Sequence, residues 1–279
     1  MKYKILTLIF FILCVSIIIY SQKSESPKLN QIPFEYYAKD FGKIESKTEK
    51  KITSEDQSVK DKFPIDLPTH TCFYLEDKRP LPAFEKGARY FFPARSFICF
   101  IPTSDPSEKD FAAAYPNFSQ SVVKLKNLLK NQPKDFRQFD DLFDVPYNNA
   151  GWSFKSKIQY LNYKNISGVF FLTQYSQDLY PSPVNNEELT ANFQGLTKNE
   201  KFYVAARFAV THPTLPRGID FTDEKIRDKA LAANSIEEVN KEVGKYLKTE
   251  AEKTEKLSDE TFRPSLPNLK KLIASIETK

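Results

Sequence analysis

The chain has few of the residues from which catalytic and metal sites are usually built. Its 279 residues include 2 histidines, 3 cysteines, 1 tryptophan and 7 glycines. The two histidines, His70 and His212, lie far apart in the sequence, and no histidine–cysteine spacing matches a zinc site. A Gly-x-Ser-x-Gly turn and a glycine-rich phosphate loop are both absent. We therefore expect no catalytic residue, no metal and no cofactor.

The chain also lacks a concentration of charge of one sign. Its formal net charge is +5, and Lys2 and Lys4 supply two of these charges. Acidic and basic residues are mixed along the sequence, so that no basic stripe is available to a phosphate backbone. Nucleic acid is therefore not an expected partner.

The N-terminus carries an apolar run that is short for a membrane span. Met-Lys-Tyr-Lys precedes an apolar stretch from 5 to 20. This arrangement is typical of a secretory signal peptide, and the run falls short of the about 20 residues of a spanning helix. Residues 1–21 are predicted to be a signal peptide or, if uncleaved, an N-terminal anchor, the only part expected to contact a membrane. We expect an exported protein in a periplasmic, cell-surface or extracellular location.

Two cysteines remain beyond this segment, Cys72 and Cys99, each inside an apolar run. In an oxidising compartment two cysteines favour one disulfide bond. A bridge between neighbouring strands is sterically reasonable, and two buried free thiols are the alternative. The pair is therefore a disulfide candidate.

Composition divides the rest of the chain into three parts. Residues 22–62 are polar and charged with little periodicity, which indicates a flexible charged stalk. Residues 63–218 contain the apolar runs and turn residues of a β-rich α+β domain. Residues 219–279 are predicted to form C-terminal helices, one of them opening with a capping box of Ser235 and Glu238. A short apolar stripe lies near the end, comprising Leu269, Leu272, Ile273 and Ile276.

The clearest strand pattern lies in the second half of the domain. Apolar and polar residues alternate in the four segments 157–163, 169–175, 189–194 and 202–210. This pattern predicts a four-strand antiparallel meander with one buried face. A helix capped by Ser119 or Ser121 and ending before Pro133 is expected to lie on the sheet. The predicted fold class is α+β: a mostly antiparallel β-sheet, one packed amphipathic helix and a helical C-terminal extension.

Part of this pattern resembles a recurring segment of uncharacterised secreted bacterial proteins. The shared string is Gly-Val, Phe-Leu-Thr-Gln-Tyr, Asn-Asn-x-Glu-Leu, Phe-Gln-Gly-Leu-Thr, Tyr-Val and His-Pro-x-Leu-Pro. The resemblance covers about a fifth of the chain and brings no activity with it. The matching residues are Gly168, Val169, Phe171 to Tyr175, Asn185, Asn186, Glu188, Leu189, Phe193 to Thr197, Tyr203, Val204, His212, Pro213, Leu215 and Pro216.

This chain departs from the shared pattern at two places. Phe170 stands where the relatives tend to have arginine, which puts in doubt any anion contact made there. Asn199 and Glu200 stand where they tend to have Asp-Gly. Asp-Gly is the stronger signal for a tight turn, so we expect a looser hairpin loop in this chain.

The loop that follows the second of these segments is the best candidate for a binding site. From Ser176 to Asn186 it is longer than the about two to five residues that a hairpin needs. Turning the chain requires its prolines, but it does not require the amides and carboxylates around them. Gln174, Asn192 and Gln194 are expected to face outward. The candidate binding residues are Gln174, Tyr175, Gln177, Asn186, Glu188 and Gln194.

These observations favour a non-catalytic exported cell-envelope protein that binds an unknown envelope protein or small ligand. One alternative is a secreted hydrolase-type enzyme that uses His212 with an acidic residue of the loop. Pro213 forces extended backbone at that histidine, which favours the end of a strand over a catalytic base. A second alternative is a structural protein whose C-terminal helices assemble subunits.

Overall fold

The computed structural model of the protein describes residues 32–36, 39–52, 66–78, 95–134, 145–146, 151–152, 154–176, 184–217 and 235–278. Its strands are β1 (Phe41–Glu49), β2 (His70–Asp77), β3 (Ser96–Pro102), β4 (Gly151–Trp152), β5 (Ser156–Asn162), β6 (Ile166–Thr173), β7 (Tyr175–Ser176), β8 (Thr190–Thr197) and β9 (Phe202–Ala209). Its helices are α1 (Phe111–Ala114), α2 (Pro116–Asn131), α3 (Ile236–Glu255) and α4 (Leu266–Ala274). The first part of the predicted C-terminal helical region, 219–234, lies outside the described residues.

Seven of the strands form one antiparallel sheet. Their order across the sheet is β1-β2-β3-β9-β8-β6-β5, and β4 pairs with β7 in a separate two-stranded ribbon. All six neighbouring pairs of the large sheet are antiparallel. With its helices the protein therefore has an α+β fold built on a mostly antiparallel sheet, as the sequence predicts.

Both faces of the sheet are buried, and the prediction of a single buried face is wrong. Helix α2 packs on one face, where Phe118 and Leu125 contact a core that includes Tyr203. The other face packs against α4 in a second core that includes Phe193 and Leu269. Alternation along a strand assigns side chains to two faces, but it does not reveal that a distant segment covers the second face.

The stretch predicted as part of a flexible stalk contains an edge strand. β1 pairs along β2 from Phe41 to Glu49, and Phe41 is buried. Its other side chains are mostly charged and exposed, with Lys43 Nζ 2.6 Å from Glu45 Oε1. Charged side chains on an edge strand discourage pairing with another chain. The charges that suggested a stalk are thus compatible with a sheet edge.

Two glycines on neighbouring strands make room for one aromatic ring. Gly168 of β6 lies directly opposite Gly195 of β8. A Cβ atom at either position would collide with the ring of Phe193, which is completely buried. Close packing of that ring against two backbones therefore requires glycine at both positions.

Helix α2 starts earlier than the sequence predicts and is capped from a distant segment. It begins at Pro116, a position suited to proline because the first helical N–H has no intrahelical acceptor. The carboxylate of Asp66 accepts hydrogen bonds from the backbone N of Asn117 at 3.0 Å and of Phe118 at 2.8 Å. The prediction of Ser119 or Ser121 as the cap is therefore wrong, because both serines lie inside the helix.

The disulfide candidate forms a bond in the structure. Cys72 and Cys99 are directly opposite each other on β2 and β3, and their sulfur atoms are bonded, with the Cα atoms 4.0 Å apart. Both residues are 1% exposed on the face that α2 covers. The bond joins two central elements of the core.

The last helix belongs to the core of the sheet. The apolar stripe of α4 and the residues beside it are nearly inaccessible to solvent. The helix also holds the N-terminal segment, since the backbone N of Glu277 donates to the carbonyl of Pro33 at 2.8 Å. The backbone N of Glu35 donates to Ser275 Oγ at 2.8 Å. The buried apolar residues of α4 and of the segments beside it are Phe262, Leu266, Leu269, Leu272, Ile273 and Ile276.

Candidate functional site

Five polar residues between β6 and β8 form a group that we call the amide cluster: Gln174, Asn185, Asn186, Glu187 and Glu188. Gln174 Oε1 accepts hydrogen bonds from the backbone N of Asn185 at 3.1 Å and from its Nδ2 at 3.3 Å. Asn185 Oδ1 accepts from the backbone N of Glu187 at 3.0 Å and of Glu188 at 3.1 Å. Asn185 Nδ2 also donates to Glu188 Oε2 at 3.0 Å. Side chains thus replace the backbone partners that a turn leaves unsatisfied.

Asn186 attaches this turn to the segment that follows β9. Its Nδ2 donates to the carbonyls of His212 at 3.1 Å and Leu215 at 2.7 Å. Its Oδ1 accepts from the backbone N of His212 at 2.7 Å. Next to it, Arg217 Nε lies 2.7 Å from Glu187 Oε1 in a mostly buried ion pair. Asn186 is 1% exposed, and these contacts give it a structural role in joining two loops.

His212 connects the same segment to the loop before α4. Its Nε2 lies 2.6 Å from Thr261 Oγ1, and its Nδ1 lies 2.8 Å from Thr214 Oγ1. Because the Thr261 hydroxyl donates to the carbonyl of Ser258 at 2.7 Å, it accepts from Nε2–H of the histidine. Burial, and then the positive charges of Arg263 and Lys157, lower the pKa of His212. The histidine is therefore a neutral connector with both nitrogens engaged by threonines.

The predicted outward orientation of Gln174, Asn192 and Gln194 is wrong. These side chains are 1%, 1% and 2% exposed. The cause is the covering of both faces of the sheet, which leaves little of β8 in contact with water. Gln177 lies outside the described residues. Of the candidate binding residues that are described, Tyr175 and Glu188 alone keep partial exposure.

Tyr175 belongs to a row of stacked side chains that crosses the sheet face covered by α2. We call it the Arg207 stack, and it consists of Tyr74, Phe97, Arg207 and Tyr175. The guanidinium carbon of Arg207 lies 4.1 Å from the ring centroid of Tyr175 and 5.2 Å from that of Phe97. The rings of Phe97 and Tyr74 follow at 6.4 Å between centroids. All four side chains are partly exposed, and the stack is held by cation–π attraction and aromatic packing.

Hydrogen bonds continue from the stack into the sheet. Arg207 Nη2 donates to the Tyr175 hydroxyl at 2.7 Å, which donates to Asn192 Oδ1 at 3.2 Å. Asn192 Nδ2 donates to Thr190 Oγ1 at 2.8 Å, and that hydroxyl donates to the carbonyl of Thr173 at 3.2 Å. Asn192 is also the direct cross-strand partner of Arg207. The position of the guanidinium is therefore fixed by the sheet residue beside it.

Gln194 lies on the same face, two residues along β8 from Asn192. Its Nε2 donates to the carbonyl of Val145 at 3.0 Å. Its Oε1 is buried and has no hydrogen-bond partner among the described residues. A buried acceptor without a partner is costly.

At the Tyr74 end of the stack the charges nearly cancel. The Tyr74 hydroxyl donates to Glu49 Oε1 at 2.9 Å, and Lys47 Nζ lies 2.9 Å from the same carboxylate. Burial, followed by the hydrogen bond to Glu49, raises the pKa of Tyr74 to about 12. Tyr74 therefore stays uncharged at neutral pH, and the positive charge within the stack is that of Arg207.

One group in the described part of the chain has the composition of a metal site. The ligand atoms of His70, Cys72 and Cys99 lie within 4.8 Å of one another. Both sulfur atoms are bonded in the disulfide, and a disulfide does not offer the thiolates that zinc binds. His70 Nδ1 lies 2.8 Å from the carbonyl of Pro68 and donates to it.

Sequence reasoning did not identify three of the four residues that form the Arg207 stack. Arg207, Phe97 and Tyr74 were not among the candidate binding residues. One signal was present: Arg207 is the charged residue within the otherwise uncharged segment 202–210. A charge inside a strand that is buried on both sides requires a partner or a function. Sequence alone could not place β2 and β3 beside β9, because they are distant in the chain.

Comparisons with known proteins place no further constraint on the site. No family model matches the chain, and neither the curated proteins nor the solved structures contain a match. Among the described residues, none of the helices has the length and apolar character required to cross a membrane.

Proposed function

We propose that the protein is an exported, non-catalytic binding domain of the cell envelope and that its ligand contact is the Arg207 stack. The observation that carries the proposal is the partial exposure of this row next to strands β6 and β8, which are almost completely buried. Arginine and tyrosine are the side chains most often found at energetically important binding contacts. The ligand is an unidentified envelope protein or small molecule.

Export is supported by the cysteine chemistry. The bond between Cys72 and Cys99 lies inside the core, and structural disulfides persist in oxidising compartments. The sequence of residues 1–21 favours the same location, because it matches a signal peptide or an uncleaved anchor. The resemblance to uncharacterised secreted bacterial proteins points in the same direction.

A non-catalytic role is supported by the surroundings of His212. A general base needs a substrate proton within reach and a group that orients its other nitrogen. In this protein both ring nitrogens contact threonine hydroxyls that fasten loops together. These contacts favour a structural role of His212 over the hydrolase-type alternative.

The scaffold of the proposed site is the four-strand meander with its packed helix and C-terminal helical extension. Strands β6 and β8 lead into the amide cluster, which fixes the backbone next to Tyr175 through Gln174. β9 contributes Arg207. In this proposal Gln174, Asn186 and Glu188 shape the site from beneath, together with the buried Gln194, while Tyr175 faces the ligand.

The proposal can be tested by recovering partners from envelope extract with the purified full-length chain. We expect the wild type and Lys248→Gln, an exposed substitution on α3, to retain the same specific partner or bound small molecule. Tyr175→Ala is expected to lose it, because the truncation removes one ring of the stack. Recovery of nothing specific, or equal recovery by Tyr175→Ala, would count against the proposed contact.

A further inference from the structure

His70, Cys72 and Cys99 bring together the nitrogen and sulfur ligands that zinc prefers in proteins. Their ligand atoms lie within 4.8 Å of one another. Donor atoms around one zinc ion, bound at about 2.0–2.3 Å, are separated from each other by about 3.5–4 Å. The three side chains therefore lie close enough to share one ion once the bond between the two sulfur atoms is broken.

The sheet assembles this group from segments that are distant in the chain. His70 and Cys72 are two residues apart on β2, so their side chains occupy the same face. Cys99 lies directly opposite Cys72 on β3. The sequence predicts no metal because no local histidine–cysteine spacing matches a zinc site, and Cys99 follows Cys72 only after 27 residues.

His70 is held in an arrangement that is typical of a metal ligand. Its Nδ1 donates to the carbonyl of Pro68 at 2.8 Å, so the neutral ring carries its free lone pair on Nε2. Histidines that bind metals commonly donate their other N–H to a carbonyl or a carboxylate, which fixes the orientation of the ring. The contact with Pro68 gives His70 the same support.

Charge favours zinc over a monovalent metal. Two thiolates and one neutral imidazole around Zn²⁺ form a complex without net charge, whereas monovalent copper in the same site leaves one negative charge. Both cysteines belong to the apolar core beneath α2, where an uncompensated charge is costly. Three protein ligands leave the fourth position of a tetrahedral zinc ion to a water molecule.

We propose that the reduced protein binds one Zn²⁺ through His70 Nε2 and the thiolates of Cys72 and Cys99, so that the zinc site and the disulfide are alternative states of one group. A dithiol reductant supplies two electrons and two protons to the S–S bond and itself becomes a disulfide. Zinc then displaces both thiol protons. A disulfide oxidant reverses the change: it takes two electrons from the thiolates, leaves as two thiols after taking up two protons, and zinc is released.

The burial of the three residues determines when one state or the other forms. His70 is 6% exposed and the two cysteines are 1% exposed, so neither zinc nor a reductant reaches them readily in the folded protein. A chain that folds with reduced thiols encloses the ion, whereas a chain that is oxidised first encloses the disulfide. Zinc binding is therefore coupled to folding.

The test is refolding of the full-length chain with Cys14→Ser, which leaves only the two cysteines of the site. The chain is unfolded, reduced with a phosphine and refolded without oxygen in detergent micelles that contain Zn²⁺. After removal of loose metal by a chelator, we expect one zinc per chain by mass spectrometry, and none in the chain refolded with its disulfide formed. X-ray absorption is expected to show two sulfur ligands at about 2.3 Å and a nitrogen ligand at about 2.0–2.1 Å.

The two histidines of the chain provide a matched pair of variants. His70→Gln removes the nitrogen ligand, and we expect it to weaken zinc binding by about tenfold or more, since loss of an outer support alone costs about that much. His212→Gln is expected to leave zinc affinity unchanged. Cys72→Ala/Cys99→Ala is expected to retain no zinc. Competition with a chromophoric chelator measures affinity, and circular dichroism establishes that each variant is folded.

Three results would overturn the zinc site. They are the absence of retained zinc in the reduced chain, whether or not that chain folds, equal zinc content in the disulfide-bonded chain, and equal affinity of folded His70→Gln and His212→Gln. An X-ray absorption spectrum without sulfur ligands contradicts the site even if the variants do not fold. Failure of the zinc site leaves the contact at the Arg207 stack standing, because partner recovery is measured on the disulfide-bonded protein.

Discussion

At the scale of single residues, Asp66 shows how one buried carboxylate stabilises an element far away in sequence. It is 2% exposed and accepts two hydrogen bonds from the first turn of α2, at 3.0 Å from Asn117 N and 2.8 Å from Phe118 N. A carboxylate at a helix N-terminus also meets the positive end of the helix dipole. The residue therefore couples the segment before β2 to the layer above the sheet.

We predict that Asp66→Ala lowers the free energy of unfolding by about 1–3 kcal/mol, because it leaves buried N–H groups without an acceptor. Urea unfolding followed by circular dichroism measures this change. The matched control is Asp110→Ala, which removes the exposed cap of the four-residue helix α1 and is expected to cost about 1 kcal/mol or less. An equal loss in the two variants would contradict the role assigned to Asp66.

The two histidines are expected to make the stability of the protein depend on pH. Burial is the main cause that lowers the pKa of both His70 and His212 in the folded protein, whereas the unfolded chain titrates near about 6.5. Below that pH the histidines of the unfolded chain take up protons, whereas those of the folded chain remain largely neutral. Stability is therefore expected to be constant above about pH 6.5 and to fall as the pH decreases below it. Urea midpoints across this range give the slope.

His212→Gln isolates one of the two contributions. Its slope below about pH 6.5 is expected to be shallower than that of the wild type, since only His70 then titrates. A slope identical to the wild type would mean that His212 takes up its proton equally well in the folded protein.

Sequence reasoning at this scale identified polar residues that matter but misjudged their environment. Gln174 and Glu188 both hydrogen-bond to Asn185, whereas Gln174 and Asn186 are buried amides. The spacing of residues in a strand determines which face they occupy. Whether that face meets water depends on α2 and α4, which come from other parts of the chain.

At the scale of elements, the disulfide ties two neighbouring strands of the sheet. Cys72 and Cys99 are separated by 27 residues, and closing a loop of that length in the unfolded chain is worth about 3.5 kcal/mol. We predict that reduction lowers the free energy of unfolding by about this amount, measured by urea unfolding with and without a reductant. The Cys72→Ala/Cys99→Ala variant is expected to show no response to reductant. Identical wild-type midpoints in both conditions would contradict the prediction.

Elements with a regular pattern could be predicted, and the exceptions have physical explanations. β5, β6, β8 and β9 lie in the four segments that alternate, and the start of α3 at Ser235 was predicted correctly. β1 was missed because an edge strand keeps charged side chains on both faces. The start of α2 was missed because its cap, Asp66, is 50 residues from Pro116 in sequence.

At the scale of the whole molecule, the segment before β1 and the segment of α4 pack together against the sheet. The N-terminal segment before β1 lies against α4, where Asn268 Nδ2 donates to Asp40 Oδ2 at 3.1 Å. Phe34 packs edge-on against Phe73 at 5.5 Å between ring centroids. The segment that contains α4 therefore contributes to the main core.

We predict that a chain ending at Leu257 loses cooperative folding. It lacks six apolar side chains that are 0–2% exposed, each worth about 1.5–3 kcal/mol, and the sum is comparable to the whole stability of a domain. Thermal unfolding by circular dichroism is the measurement. A chain beginning at Ile32 keeps every described contact and serves as the control. A cooperative transition in the shortened chain would show that α4 is separable.

The packing of α4 against the sheet could not be predicted from the sequence. The stripe of Leu269, Leu272, Ile273 and Ile276 predicted an apolar helix face, and the structure contains one. The stripe itself fits both a subunit interface and an internal core. Its partner is a face of the sheet assembled from strands spread over the chain, which no local pattern reveals.

The most direct test of the account is photo-crosslinking in the producing cell. A benzophenone amino acid replaces Arg95, an exposed residue two positions before Phe97 of the stack, or Lys248 on α3 as the control. Intact-mass measurement of the recovered chain then detects any attached small molecule or protein. We predict one defined adduct from position 95 and none from position 248. No adduct at position 95, or the same adducts at both positions, would contradict a binding function located at the Arg207 stack.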